Sequence, residues 1–366
     1  GALVAAGATP DREHSVRSHC ETGAGLFLPV WLRSARERAK NDLGWSVAEC
    51  EEGWRMTSAV RNRPLRIGIL VPQGEYRWNG RLPRWSDLEA MARLAEEIGL
   101  DSLWVVDHLL YRTPDGEPEG IWECWSLLSA FAAVTKRITL GTLVLCTNWR
   151  NPALIAKMAE TVDEISGGRL ILGLGAGNTE QEFRRFGFPW ERRVSRFAEA
   201  LAIVHGLLRN GWIDYAGEFY TVRDCLLRPR GPRSQGPPIL VGGNGPRVLR
   251  LAAQYADIWN TYYDFTGNRA SGLGPQIEAF RAACRDVGRD WSSVTLSASA
   301  LVAFPGHGRI YGVVADPVRG TPEEIAEEFR AYARAGIQHL QLRIEPNTLE
   351  GLEQLGRVLE VLDRAE

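Results

Sequence analysis

No run in this 366-residue chain reaches the ~18 consecutive apolar residues that a membrane-spanning helix needs. The longest early apolar patch, GLFLPVWL at 25–32, is short and broken by Pro29. It runs into RSARERAK without a small-residue cleavage site, so it does not read as a secretory leader. An excess of one charge is missing too. The formal net charge is −2, which leaves no electrostatic footprint for nucleic acid. Cysteine pairs at metal spacing are absent: Cys20, Cys50, Cys124, Cys146, Cys225 and Cys284 are scattered, with no Cys-x-x-Cys. That argues against a zinc site and a disulfide framework, and makes the cytoplasm the expected compartment. No predicted strand carries a His-x-His pair, so a metal-dependent hydrolase lacks its main support and no metal is expected. Lysine is nearly missing, with Lys40, Lys136 and Lys157 the only ones, a bias that says nothing about fold.

What is present is a long alternation of strand and helix patterns. Residues 1–64 lack it and read as an N-terminal extension outside the fold, mostly disordered; Met56, just before TSAVRNRPLRIGIL, has the look of a natural start. From 65 to 366 the pattern is regular. LRIGILV (65–71), SLWVVD (102–107), ITLGTLVLC (138–146), RLILGLGAG (169–177), PILVGG (238–243), DIWNTY (257–262), SVTLSASALVAF (293–304) and IQHLQLRI (337–344) read as strands. Helical patterns separate them: 85–99 with Ser86 as its cap, 123–135, 151–168 with Pro152 in its first turn and a stripe of Ile155, Met158, Ala159, Val162 and Ile165, then 195–209, 246–256, 275–287, 321–336, and a last helix burying Leu352, Leu355, Leu359 and Leu362. DYAGEFYTV (214–222) reads as an inserted hairpin strand. Eight βα units over about 300 residues predict a (β/α)8 TIM barrel; a doubly wound open sheet is the rival.

In such a barrel the chemistry sits where strands end. That rule gathers Asp107–His108, Cys146–Asn148, Gly175–Asn178, Gly242–Gly245, Asn260 and Tyr262 at one mouth. Asp107–His108 is the candidate catalytic pair, because imidazole is the usual proton carrier near neutral pH; a capping Asp and a packed His is the plain alternative. GLGAGN has Gly-x-Gly-x-Gly spacing, not the dinucleotide fingerprint, and suits either close approach by a flat ligand or a crowded strand. GGNGPRVL leads several backbone amides into a helix, a geometry that binds phosphate, although a ligand-free turn has the same composition. Trp78, Trp85, Trp122, Trp125, Trp149 and Trp190 fall in or near the loops of that mouth and suit a planar-ligand pocket or aromatics folded onto the core. His205 and His339 read as structural, and His307 as an open loop candidate.

Together AEEIGLDSLWVVDHL, the stretch from ECWSLLSAF to GAGNTEQEF, PPILVGGNGPRVLRLAAQYADIWN and AGIQHLQLR resemble the bacterial-luciferase-like monooxygenase superfamily, above all its coenzyme F420-dependent oxidoreductases. The resemblance implies F420, or alternatively FMN, bound at the mouth. The ring would lie near Asp107 and His108, with a cis Leu143–Val144 peptide at its back. Gly175, Ala176, Gly177 and Asn178 would line the ring and side chain, and Gly242, Gly243, Asn244 and Gly245 would hold the phosphate. It implies hydride transfer with a small apolar organic substrate, His108 being oriented by Asp107, and Arg150, Arg228 or Arg230 meeting an acidic cofactor tail. A homodimer and a flavin or F420 reductase as supplier of reduced cofactor are further expectations. With FMN the enzyme would be a two-component monooxygenase, and a non-catalytic flavin-binding barrel is the reading from another class. Asn178 stands where sugar-phosphate dehydrogenases of the family carry Glu, and no lysine follows Lys157 to grip a phosphorylated sugar, so that substrate is not carried over.

Overall fold

In the computed structural model, which describes residues 63–75, 78, 80–112, 118–305 and 315–364, eight parallel strands close into a ring. They are β1 (Arg66–Leu70), β2 (Ser102–Val105), β3 (Thr139–Thr142), β4 (Leu170–Gly175), β5 (Ile239–Gly242), β6 (Ile258–Thr261), β7 (Thr295–Ala303) and β8 (His339–Glu345). Each pairs with the next in chain order, and β8 returns to β1 with Arg66 opposite His339. The open-sheet rival is excluded by that last pairing. The helices are α1 (Trp85–Glu97), α2 (Cys124–Val134), α3 (Pro152–Ser166), α4 (Glu180–Phe186), α5 (Arg193–Asn210), α6 (Pro246–Tyr255), α7 (Leu273–Val287), α8 (Pro322–Arg334) and α9 (Leu349–Asp363). The expected extension, apart from Arg63 and Pro64, and His307 lie outside the described residues.

Local chemistry explains most boundaries. The Asn151 side chain accepts the amides of Ala153 and Leu154, and Pro152, which has no amide to satisfy, occupies the first position of α3. Ser86 is not a cap: α1 begins at Trp85, and Asp87 reaches back to the Arg84 amide at 2.8 Å. Ile165, expected on the buried stripe of α3, is 49% exposed in its last turn. The inserted hairpin has two strands, Trp212–Ala216 and Thr221–Leu226. A second hairpin, Leu110–Arg112 with Pro118–Gly120, follows β2 and was not foreseen.

The main core lies between strands and helices, and a smaller one fills the barrel: Leu70, Trp104, Ile171, Leu240 and Ile258. One wall of the interior is polar instead. Every second residue of β8 is polar (His339, Gln341, Arg343, Glu345), and their partners are polar too. Ser102 Oγ lies 2.6 Å from His339 Nε2, and Asn260 Nδ2 donates to Gln341 Oε1 at 2.7 Å. At the end where strands start, Arg63 bonds Asp363 at 2.6 and 2.7 Å and Asp101 at 3.0 Å. The barrel framework therefore includes Arg63, two residues ahead of the expected boundary.

Candidate active site

The apolar run of β2 ends because Asp107 has partners waiting on the next strand. Its buried carboxylate accepts the Cys146 amide at 2.8 Å and two bonds from Arg150, at 2.6 and 3.1 Å. Arg150 continues to Glu123 at 2.7 Å, the residue that caps α2 through the amides of Trp125 and Ser126. Burial pushes the Asp107 carboxyl up, against the pull of Arg150. Burial alone would lower Arg150, but its bonds to Asp107 and Glu123 outweigh that and hold it above the ordinary guanidinium range. The forked geometry is that of a strong ion pair.

Asp107 therefore does not orient His108. That task falls to Glu182, on α4. His108 Nδ1 lies 2.9 Å from Glu182 Oε2, while Glu182 Oε1 accepts the Leu109 and Leu110 amides at 2.6 and 3.1 Å. Burial would raise the Glu182 carboxyl; the bonds from His108, Leu110 and Leu109 outweigh it and hold the group below the ordinary carboxylate range. An ionised carboxylate only accepts, so His108 carries a proton on Nδ1, and the residue lines the cavity. The imidazole is tilted against the Tyr111 ring, centroids 4.3 Å apart, on the unforeseen hairpin. Glu182 was missed because nothing in GAGNTEQEF says that a helix brings its carboxylate back to β2.

The strand after α2 breaks where the resemblance places a bulge. The Leu143–Val144 peptide is cis, and Leu145–Cys146 resumes pairing against β4. The Val144 side chain points between β4 and β5: a Cβ on Gly175 would lie 2.6 Å from its Cγ2, and one on Gly242 would lie 3.0 Å from its Cγ1. Gly175 is thus required by Val144. Gly177, at φ +76, would meet Phe183 and the Cys146 sulfur at 2.7 and 2.8 Å. Protein packing, rather than a ligand's close approach, accounts for both glycines.

One cavity of about 670 Å³ opens at the ends of the strands. Asp107, His108, Leu143, Val144, Gly175, Ala176, Gly177, Asn178, Gly242, Gly243, Asn244 and Gly245 all line it. Its far end is the start of α6, which has Gly245 as a cap with no side chain and Pro246 at its first position. The first-turn amides of such a helix have no partner within the helix and favour an anion. Arg247 stands beside them, bonding Ser195 Oγ at 2.9 Å. The Asn244 amide nitrogen is spent on Thr261 and Gln276, at 2.9 and 2.6 Å, and the Gly243 amide on the Asn260 carbonyl at 3.1 Å. These donors fit a phosphate through backbone amides more than through the Asn244 side chain, and Arg247 does not line the cavity.

Several expectations are corrected here. Among the described residues no tryptophan lines the cavity, and its aromatic residues are Tyr111, Tyr262, Tyr263 and Phe265. Trp85 packs on Phe131, and Trp149 and Trp190 pack on Phe183. Arg150 is committed to Asp107 and Glu123. Arg230 bonds Glu160, in the second half of α3, and the Leu208 carbonyl, near the end of α5, while Lys157 bonds the Arg228 carbonyl. Helix ends face strand starts in a βα barrel, so this segment lies away from the mouth. Among the described residues, the arginines lining the cavity are Arg193 and Arg343. Burial pushes the Cys124 and Cys146 thiols up, which makes them poor nucleophiles. Among the described residues, no group of three His, Cys, Asp or Glu is arranged to hold a metal, and no helix is long and apolar enough to cross a membrane.

Residues 65–305 match the family model described as luciferase-like monooxygenase. The chain belongs to the luciferase-like monooxygenase family. Among luciferase-like relatives, it is 31% identical over 300 residues to the phthiodiolone/phenolphthiodiolone dimycocerosates ketoreductase of Mycobacterium tuberculosis, covering 75% of each chain. It is 34% identical to the 5,10-methylenetetrahydromethanopterin reductase of Archaeoglobus fulgidus over 174 residues, 48% of each. An F420-dependent secondary alcohol dehydrogenase, solved in complex with an F420-acetone adduct, shares the fold with a TM-score of 0.69 at 22% identity, over 82% of this chain and 99% of that one. A monooxygenase from Streptomyces bottropensis does so at 0.66 and 18% identity, over 82% and 98%. The luciferase-like relatives are oxidoreductases and monooxygenases by name, and this chain is an oxidoreductase of that family.

Proposed function

We propose that this chain is an F420-dependent oxidoreductase acting on the carbonyl or alcohol carbon of a small, largely apolar organic substrate. The observation that carries this reading is the position of His108. Its Nδ1 is held by buried Glu182, and its Nε2 is left for a cavity whose other end is the open start of α6.

When bound, the deazaflavin supplies the hydride donor or acceptor. The protein does the rest. The first-turn amides of α6 would hold the phosphate, and Leu143 and Val144 would back the ring. In reduction His108 acts as the imidazolium: its Nε2 proton goes to the substrate oxygen and the Nδ1 proton stays on the bond to Glu182. In oxidation the neutral ring takes the alcohol proton at Nε2. Tyr111 and Ile121 line one side of the cavity. Asp107 and Arg150 keep the end of β2 and the Val144 bulge in register. Two similarities support the choice of reaction: a ketoreductase among the relatives, and an F420-dependent alcohol dehydrogenase among the similar structures.

The similar Streptomyces monooxygenase favours a second reading, in which FMN binds and oxygen is the co-substrate. Titrating the purified protein with F420 and with FMN separates them. Tight binding of F420 alone, with reduction of ketones by its reduced form, is the expected result. Tight binding of FMN alone overturns the F420 assignment, and cofactor binding without turnover on any substrate supports a non-catalytic barrel.

A further inference from the structure

Tyr262, Tyr263 and Arg343 form a polar group in the wall of the same cavity. The hydroxyls of Tyr262 and Tyr263 are 2.7 Å apart and share a hydrogen bond. Their rings are stacked at a tilt, centroids 4.0 Å apart. Tyr263 is 2% exposed, whereas Tyr262 is open to the cavity. Arg343, on β8, bonds the Tyr263 hydroxyl and donates to Glu345 Oε1 at 3.2 Å. The signal for Arg343 was in the sequence, as the polar alternation of β8, but that run reads at first as an ordinary buried strand.

We propose that Tyr262 is the group that recognises the substrate oxygen, with Tyr263 and Arg343 as the positioning residues behind it, and that the substrate is accordingly a ketone or the matching secondary alcohol. This rests on the redox reading of the site. Tyr262 follows β6 and His108 follows β2, which are four places apart in a ring of eight strands, so the two approach the cavity from opposite sides. A guanidinium can only donate, and it takes one lone pair of the Tyr263 oxygen. Tyr263 also shares a bond with Tyr262, and a cationic end polarises such a hydroxyl chain. With Tyr262 donating to Tyr263, its oxygen accepts from an alcohol. With the shared bond reversed, its O–H donates to a ketone oxygen, where charge gathers as the carbon is reduced. Burial, then the neighbouring Tyr263, push the Tyr262 phenol well above its ordinary value, so it stays a neutral donor and leaves the proton transfer to His108.

The test uses cofactor-loaded full-length protein and cyclohexanone labelled with ¹³C at the carbonyl. Infrared difference spectra read the bound carbonyl stretch, and steady-state kinetics read its reduction. Wild type is expected to shift the band to lower frequency. Tyr262→Phe should reverse most of that shift and lower kcat/KM about tenfold or more, with cofactor affinity unchanged. Tyr263→Phe should give a smaller change of the same kind, and Arg343→Lys should retain more of the shift than Arg343→Gln. If wild type reduces the ketone and Tyr262→Phe matches it in band and rate, this proposal falls while the redox reading stands. If wild type binds cofactor but neither shifts the band nor reduces so small a ketone, the proposal falls as well. Failure to bind either cofactor overturns the redox reading itself.

Discussion

His108 Nδ1 lies 2.9 Å from Glu182 Oε2, a carboxylate 74 residues further along the chain, and not against its neighbour Asp107. The relationship divides the Asp-His pair into two jobs. His108 faces the cavity with a fixed tautomer, and Asp107 anchors the strand end.

His108→Ala is expected to lower turnover about 10²–10⁴-fold with cofactor affinity intact. Glu182→Gln keeps the shape of the side chain but removes its charge; loss of a charged hydrogen bond worth about 1.5–3 kcal/mol predicts a fall of about 10–100-fold in kcat. Steady-state rates beside cofactor titrations check both. Full activity of Glu182→Gln would show that the imidazole is held in place by something else.

Asp107 is expected to matter for folding first. Removing one partner of a buried ion pair costs about 3–5 kcal/mol, so Asp107→Ala should lower the urea midpoint markedly. Denaturation of Asp107→Ala and Arg150→Ala measures this, and midpoints at the wild-type value would refute it.

Gly175 and Val144 should behave as a coupled pair, since a Cβ on Gly175 falls 2.6 Å from Val144 Cγ2. Overpacking of this kind costs about 1–3 kcal/mol. Gly175→Ala is expected to destabilise by that amount, and Val144→Ala to relieve it, so the double variant is more stable than the sum of the singles. A double-mutant cycle with no coupling would mean that the site relaxes without Val144.

His339 predicts an acid limb of stability. Burial, then the charge of Arg66, lowers it from 6.5 to about 3. The unfolded chain takes up this proton below pH 6.5, while the folded protein resists until about pH 3. The contribution is complete above the upper value and is lost as pH falls between the two, at no more than about 1.4 kcal/mol per pH unit. Urea midpoints at pH 7, 6 and 5 should fall less steeply for His339→Asn than for wild type. His205, also lowered by burial, leaves a residual slope in both. Equal slopes would count against a buried neutral His339.

Much of this protein is set by local pattern. The eight apolar strands, the capped helices between them and the gathering of polar residues at strand ends all follow from periodicity, glycine and proline. All twelve residues expected at the site do line one cavity, because βα repetition sends every strand end to the same mouth. The pairings within that mouth did not follow. Glu182 reaches His108 across 74 residues, Arg150 takes Asp107 across 43, and Arg343 meets Tyr263 from another strand. Closure of the barrel decided those partners: ring order places distant segments side by side, and a buried charge takes the nearest opposite group whatever its place in the chain. The tryptophans were misplaced for the same reason. Trp149 and Trp190 pack on Phe183, Trp122 stays 43% exposed, and three tyrosines and Phe265 line the cavity.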